Sequence, residues 1–282
     1  LESGPEIVVG TFAQVQALLG ARADTLALTP AAVRAEGYQI VTDRSDTNTP
    51  LIVVAGKDAR GILFGIGHLL RKMHLGPVRA GLMAPLNIAT SPRYALRGHQ
   101  LGYRPKPNTY SGWTFEMWDR YIRELALFGT NAIELIPPRS DDAADSPHFP
   151  EPPLDMMVKM SRACAEYGLD VWVWYPALDR DYGNPDTVAF ALEEWGDVFR
   201  ALPKIDAVLV PGGDPGHTPP ELMFPLLEKQ TANLRQHHPQ ATMWLSPQGF
   251  TPEQLDYYFD YLAEKKPSWF AGTVFAPWVN MD

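Results

Sequence analysis

The stretch Ala207-Val-Leu-Val-Pro-Gly-Gly-Asp214-Pro-Gly-His217-Thr-Pro-Pro-Glu221 holds one complete strand-to-helix unit. Four apolar residues make a short buried strand, and Pro211 ends it because proline has no N–H to extend a hydrogen-bond ladder. Thr218-Pro-Pro-Glu221 reads as a capping box with proline in the first helical turn, so a helix is predicted to follow at once. Between the two elements, Gly212 and Gly213 let the backbone approach a ligand and leave Asp214 at the carboxyl end of the strand.

The same unit recurs from Ala95 onward. Apolar runs at 95–104, 132–136, 171–175, 207–210, 243–245 and 273–276 alternate with helical segments, and Pro105, Pro137, Pro176, Pro211, Pro247 and Pro277 close them in turn. Alternating strands and helices predict parallel βαβ units. The five intervals between the first and last of these prolines average about 34 residues, the size of a (β/α) barrel unit. A doubly wound open sheet is the rival, but no glycine-rich dinucleotide fingerprint and no phosphate loop is present. Asn184-Pro185 and Thr251-Pro-Glu-Gln254 supply further helix starts, and Gly129 and Gly168 supply left-handed helix ends. Eight units need roughly 275 residues, whereas 188 remain from Ala95 to Asp282. The expectation is therefore a TIM-type barrel truncated after about six strands, with edge strands exposed.

Residues 1–92 precede this repeat and predict a small α/β domain, with 93–282 as the partial barrel. Ile7-Val8-Val9, Tyr38 to Val41 and Leu51 to Ala55 read as strands. Phe12 to Leu19 and Arg60 to Lys72 read as helices, and Ala84 to Pro92 as a connector. The fold class is α/β.

Composition excludes several functions. With 24 Lys+Arg against 33 Asp+Glu the chain carries a net charge of -9, which argues against nucleic acid or an anionic membrane as partner. No run reaches the about 18 apolar residues of a membrane span. The single cysteine, Cys164, forms no intrachain disulfide and sits among Met157, Met160 and Ser161 on an apolar helix face, so packing is its expected role. The counts of 27 Pro and 8 Trp are high, and the strand-ending prolines account for much of the first.

In a barrel the chemistry gathers at the carboxyl ends of the strands. There the sequence offers Arg97, His99, Gln100, Tyr103 and Arg104, then Glu134 and Arg139, then Trp172, Trp174, Tyr175 and Asp179. Asp214 and His217 follow, then Trp244, Ser246 and Gln248, and finally Trp278. Aromatic faces flanked by Arg, Gln and carboxyl groups suit a sugar, whose C–H faces stack on rings while its hydroxyls take directional hydrogen bonds. Asp214 and Glu134 are the expected catalytic carboxyls. Arg97, His99, Tyr103, Trp174, Tyr175, His217, Gln248 and Trp278 are the expected substrate contacts. Asp214 has a turn-forming alternative, because Asp-Pro-Gly is also good turn chemistry. Glu134 sits in an apolar strand and has a structural alternative as partner of Arg97 or Arg104, while His99 has one as an interior histidine. Asp141, Asp142 and Asp145 read as a solvated loop.

The layout resembles carbohydrate-active enzymes that join a small α/β domain to a catalytic barrel. Gly56-Lys-Asp-Ala-Arg-Gly-Ile-Leu-Phe-Gly-Ile-Gly-His-Leu-Leu70 is similar to a helix region of the N-terminal domain shared by family 20 β-hexosaminidases and family 67 α-glucuronidases. Ser91-Pro-Arg-Tyr-Ala-Leu-Arg97-Gly98 resembles the entry to their barrel, where an Arg holds sugar hydroxyls. Gly212-Gly213-Asp214 resembles the Gly-Gly-Asp-Glu of family 20, in which the Asp orients the acetamido group and the Glu is the general acid. Pro215 stands at the position of that Glu, and Val210 where the family usually has His. The resemblance thus carries over Arg97 and Asp214 but not the acid. It implies a glycoside hydrolase for O-glycosidic bonds of oligo- or polysaccharides, secreted or periplasmic, without cofactor or metal. Two other readings stay open. One is a non-catalytic carbohydrate-binding relative. The other is a metal-dependent sugar isomerase-like barrel with Glu134, Asp179, Asp214 and His217 as ligands.

Overall fold

The computed structural model describes residues 6–45, 50–78, 80–104, 110–141, 143 and 145–275. Pro105, Asp142, Pro277 and Trp278, all invoked above, lie outside them. The chain divides into two units: the first is Leu1–Arg97 with Arg123–Asn131, and the second is Gly98–Ile122 with Ala132–Asp282.

The first unit is built on four strands, β1 (Glu6–Thr11), β2 (Tyr38–Asp43), β3 (Leu51–Gly56) and β6 (Asn87–Thr90), in the order β1-β3-β2-β6. β1 runs parallel to β3, while β2 is antiparallel to β3 and to β6. Alternation along β3 decides what each face holds. Leu51, Val53 and Ala55 join Phe12 and Val15 of helix α1 (Phe12–Leu19) in one cluster, followed in the chain by the short α2 (Ala21–Asp24). Val54 turns the other way, to Ile40 and to Phe64 and Leu69 of helix α3 (Ala59–Lys72). A hairpin of β4 (Met73–Leu75) and β5 (Ala80–Leu82) completes the unit. Neither that hairpin nor β6 was expected. Only one residue of β6, Ile88, is even half-buried, so the segment lacks the apolar alternation that marks a strand.

The second unit is a six-stranded parallel sheet in the order β12-β11-β10-β9-β8-β7. Its strands are β7 (Gly98–Leu101), β8 (Ala132–Leu135), β9 (Asp170–Trp174), β10 (Ala207–Val210), β11 (Thr242–Leu245) and β12 (Phe270–Thr273). Helices alternate with them: α4 (Phe115–Leu127), α5 (Pro153–Glu166), α6 (Pro185–Ala201), α7 (Pro220–His237) and α8 (Pro252–Lys265). Pro137, Pro176, Pro211 and Pro247 each fall within two residues of a strand end, as the sequence predicts. Thr251 caps α8 through a full capping box, and Asn184 caps α6. Thr218 does not cap α7. The helix begins two residues later, Pro219 takes the cap position without a side-chain bond, and the backbone N–H groups of Leu222 and Met223 bond the Pro219 carbonyl instead.

Side chains alternate across this sheet, and along β8 to β11 one face is fully buried. Ile133, Leu135, Val171, Val173, Val208, Val210, Met243 and Leu245 are all 0% exposed on the side of the helices. The opposite face carries Gln100, Glu134, Trp172, Trp174, Leu209 and Trp244, of which only Trp174 is buried. Eight aliphatic side chains removed wholly from water stabilise the layer by roughly 1.5–3 kcal/mol each before entropy is counted.

The first unit yields a packing prediction. A Cβ on Gly65 of α3 would meet Val54 Cγ1 at 2.6 Å and Tyr38 Cγ at 3.1 Å. Alanine gains at most about 1 kcal/mol of helix propensity, whereas forcing a methyl into a filled core costs about 1–3 kcal/mol. Gly65→Ala should therefore lower the thermal unfolding midpoint, and an unchanged or higher midpoint in calorimetry would contradict this packing.

Candidate active site

Two groups of side chains come together at the carboxyl ends of the sheet strands. The first begins with register. Gln100, Glu134 and Trp172 are paired across β7, β8 and β9 and so project from one face. Gln100 Nε2 donates to Glu134 Oε2 at 2.9 Å, and Gln100 Oε1 accepts from Arg104 Nη1 at 3.3 Å. Arg104 Nη2 in turn bonds both oxygens of Asp141, at 3.0 and 2.9 Å, and its guanidinium lies 5.1 Å from the centre of the Trp174 ring. Burial pushes the Glu134 carboxyl up to about 7, against a smaller downward pull from the Gln100 hydrogen bond.

The second group is the turn after β10. Gly212 has φ 68°, and a Cβ there would meet the Gln248 carbonyl oxygen at 2.6 Å. The N–H of Gly213 donates to that same carbonyl at 2.8 Å. A Cβ on Gly216 would run into the Ala177 carbonyl oxygen. The loop is thus clasped between those following β9 and β11, with glycine where backbone meets backbone. Asp214 is held in this frame by Gln248 Nε2, which donates to its Oδ2 at 2.6 Å. Gly213, Asp214, His217, Gln248 and Gly249 line an open recess of about 510 Å³.

Several expected contacts fall elsewhere. Arg97 lies before the first residue of β7, at the amino end of the sheet, and its guanidinium is taken up by Glu36 at 2.6 Å, Gly129 O at 2.7 Å and Tyr94 O at 2.7 Å. Arg104, after the strand, holds the place at the mouth that Arg97 was expected to fill. His99 follows the parity of Leu101, not Gln100, and is exposed, so it is neither an interior histidine nor on the face of Glu134. Tyr103 is 8% exposed and stacked on Phe149 at 4.3 Å, and burial pushes its hydroxyl up to about 12. Tyr175 turns to the helix side, 1% exposed and stacked on Trp195 at 4.0 Å. Trp174, Gln248 and His217 stand at the carboxyl ends as expected, His217 exposed with φ 56°. Trp278 is outside the described residues. Glu134 pairs with neither Arg97 nor Arg104 directly, but reaches Arg104 through Gln100.

The sequence does not reveal a third cluster. Arg139 bonds Asp179 at 2.7 Å and Glu194 at 3.3 Å, Tyr175 donates to Glu194, and Tyr182 donates to Asp179. Burial pushes Glu194 up despite the nearby Arg139. Glu194 lies mid-helix, where its spacing reads as an ordinary charged face, which is why only the structure finds it. Among the described residues no three of His, Cys, Asp and Glu come together as a metal-ligand set. Of the ligands in the isomerase reading, Glu134 accepts from Gln100, Asp179 from Arg139 and Asp214 from Gln248.

No family model matches the chain, and no curated protein matches it. Solved structures do. The fold is that of glycoside hydrolase barrels. An exo-β-N-acetylglucosaminidase of family 20 from Vibrio harveyi, in an inactive mutant form, matches at TM-score 0.55 and 12% identity over 86% of this chain and 51% of that one. CpGH84D matches at TM-score 0.57 and 14% identity over 96% and 45%. CpGH84B matches at 0.53 and 16% over 82% and 40%. The chain therefore spans about half the length of these structures or less.

A raised carboxyl makes a stability prediction with a definite sign. Between the ordinary value of 4.5 and about 7 the folded protein holds more protons at Glu134 than the unfolded chain, so stability falls as pH rises through that window. Glu134→Gln removes this loss and should stabilise the protein at pH 8, by at most about 3 kcal/mol. At pH 4 the two proteins should unfold alike. Denaturant unfolding at both pH values checks it, and equal midpoints at pH 8 would contradict the assignment.

Proposed function

We propose that the protein hydrolyses O-glycosidic bonds of oligo- or polysaccharides, with Glu134 as proton donor and Asp214 as the carboxyl that stabilises developing positive charge. The observation that carries this reading is Glu134: a carboxyl still protonated near neutrality, on the sheet face that bears Trp172, Trp174 and Trp244. A general acid works best when its pKa lies near the working pH. Pro215 denies Asp214 an acidic neighbour, so the acid is taken from another strand, and Glu134 is a carboxyl so placed among the described residues. As the bond between the anomeric carbon and the leaving oxygen breaks, Glu134 gives its proton to that oxygen. Water then supplies a hydroxyl to the anomeric carbon, and the proton it releases returns to Glu134. Gln248 holds Asp214 in one orientation throughout. The likeness to the exo-β-N-acetylglucosaminidase from Vibrio harveyi makes β-linked N-acetylated sugars the first substrates to try.

Asp214→Asn is almost isosteric and keeps a partner for Gln248. It should lower kcat on an aryl glycoside by about 100-fold or more while leaving the unfolding midpoint in place. Wild-type kcat in the variant would remove Asp214 from the mechanism. Pro215 also favours a second reading, a non-catalytic carbohydrate-binding relative. Saturable oligosaccharide binding without turnover of any glycoside in a broad panel would establish that reading in place of hydrolysis.

A further inference from the structure

We propose that Gln100 and Arg104 are positioning residues that decide which oxygen of Glu134 carries its proton. A side-chain amide has one accepting and one donating end, and Gln100 is held at both. Its Oε1 accepts from Arg104 Nη1 at 3.3 Å, and its Nε2 donates to Glu134 Oε2 at 2.9 Å. Turning the amide over would set donor against donor at Arg104 and would remove the donor from Glu134. Arg104 cannot follow such a turn, because Asp141 holds its Nη2 with both oxygens and the guanidinium lies over Trp174. Glu134 Oε2 is therefore kept as an acceptor, and the proton resides on Oε1. Without Arg104 the amide can turn, a proton on Oε2 can donate to Gln100 Oε1, and the protonated form gains a partner.

Charged and titratable groups stand on the elements packed around Glu134. His99 of β7 has the opposite parity, and Arg104 follows that strand; Arg139 and Asp141 follow β8; Asp170 stands at the amino end of β9 in register with Ala132, and Asp179, after that strand, is paired with Arg139. Arg104 connects to Glu134 by hydrogen bonds through Gln100, and Asp141 through Arg104 and Gln100.

The role in turnover rests on the reading of Glu134 as proton donor, but the position of its proton is a property of the ligand-free protein. The test is a ¹³C NMR titration of the Glu134 carboxyl in wild type, Arg104→Met, Gln100→Met and the double variant, with no substrate present. Gln100 is exposed on an edge strand, so Gln100→Met leaves the core untouched. Arg104→Met should raise the midpoint by about one pH unit, a tenfold change in proton affinity. Gln100→Met should raise it too, and adding Arg104→Met to Gln100→Met should raise it no further. An equal rise from Arg104→Met with and without Gln100 would mean that the guanidinium acts by charge alone, and would overturn the proposal. So would no rise at all. Wild type provides a check that needs no variant: the Gln100 side-chain ¹⁵N resonance should titrate with the Glu134 midpoint, and a flat response would overturn the proposal. Absence of glycosidase activity would leave these results standing, and their failure would leave the activity to be judged on turnover.

Discussion

A strand can send its side chains only alternately to its two faces, and along β8 to β11 of the six-stranded sheet the helices take one face. That side receives valine, isoleucine, leucine and methionine, fully removed from water, because an apolar side chain there leaves no polar group to be satisfied. Whatever polar or aromatic residue sits at the other parity of the same strands is delivered to the opposite face without further instruction. Gln100, Glu134 and Trp172 meet on one row for this reason, and Trp174, Leu209 and Trp244 on the next. A slip of one residue in β8, β9 or β11 would trade a buried aliphatic for Glu134 or a tryptophan, so the packing energy of the helix layer also holds the register of the site.

Loops complete what register begins. The turn carrying Asp214 approaches its neighbours so closely that Gly212 and Gly216 have backbone carbonyl oxygens where a Cβ would be. Asp214 is accordingly positioned by main chain on both sides and by Gln248 at its carboxyl. The two carboxyl groups proposed for the chemistry lie on β8 and on the turn after β10, with β9 and its tryptophans between them. Their surroundings differ. Glu134 is crowded by the sheet, which pushes its carboxyl up to about 7, while Asp214 opens on a recess.

The architecture was legible because proline and parity are local signals. A proline soon after each apolar run marks a strand end whatever surrounds it, and the alternation of strand and helix then leaves a parallel sheet as the natural outcome. The position of Asp214, Gln248 and Trp174 at the strand ends was legible on the same grounds. Arg97 was misplaced because strand direction, not nearness to a strand, decides which end a residue joins, and β7 begins only at Gly98. Tyr175 was misplaced by parity, since it follows Trp174 and must face the other way. The pairing of Gln100 with Glu134 depends on which residues of two strands stand opposite each other, and a single sequence does not contain that information. The Arg139, Asp179 and Glu194 cluster unites a loop, a second loop and a helix, so no linear spacing encodes it.

In the proposed function, the sheet face opposite the helices, at the carboxyl ends of its strands, receives a carbohydrate. Chemical-shift mapping with a panel of neutral and N-acetylated oligosaccharides tests it directly. The indole N–H resonances of Trp172, Trp174 and Trp244 and the side-chain amides of Gln100 and Gln248 should move together on saturation, while those of Trp118 and Trp195 beneath the helices stay fixed. Perturbation confined to the helix side, or none with any saccharide in the panel, would contradict the account.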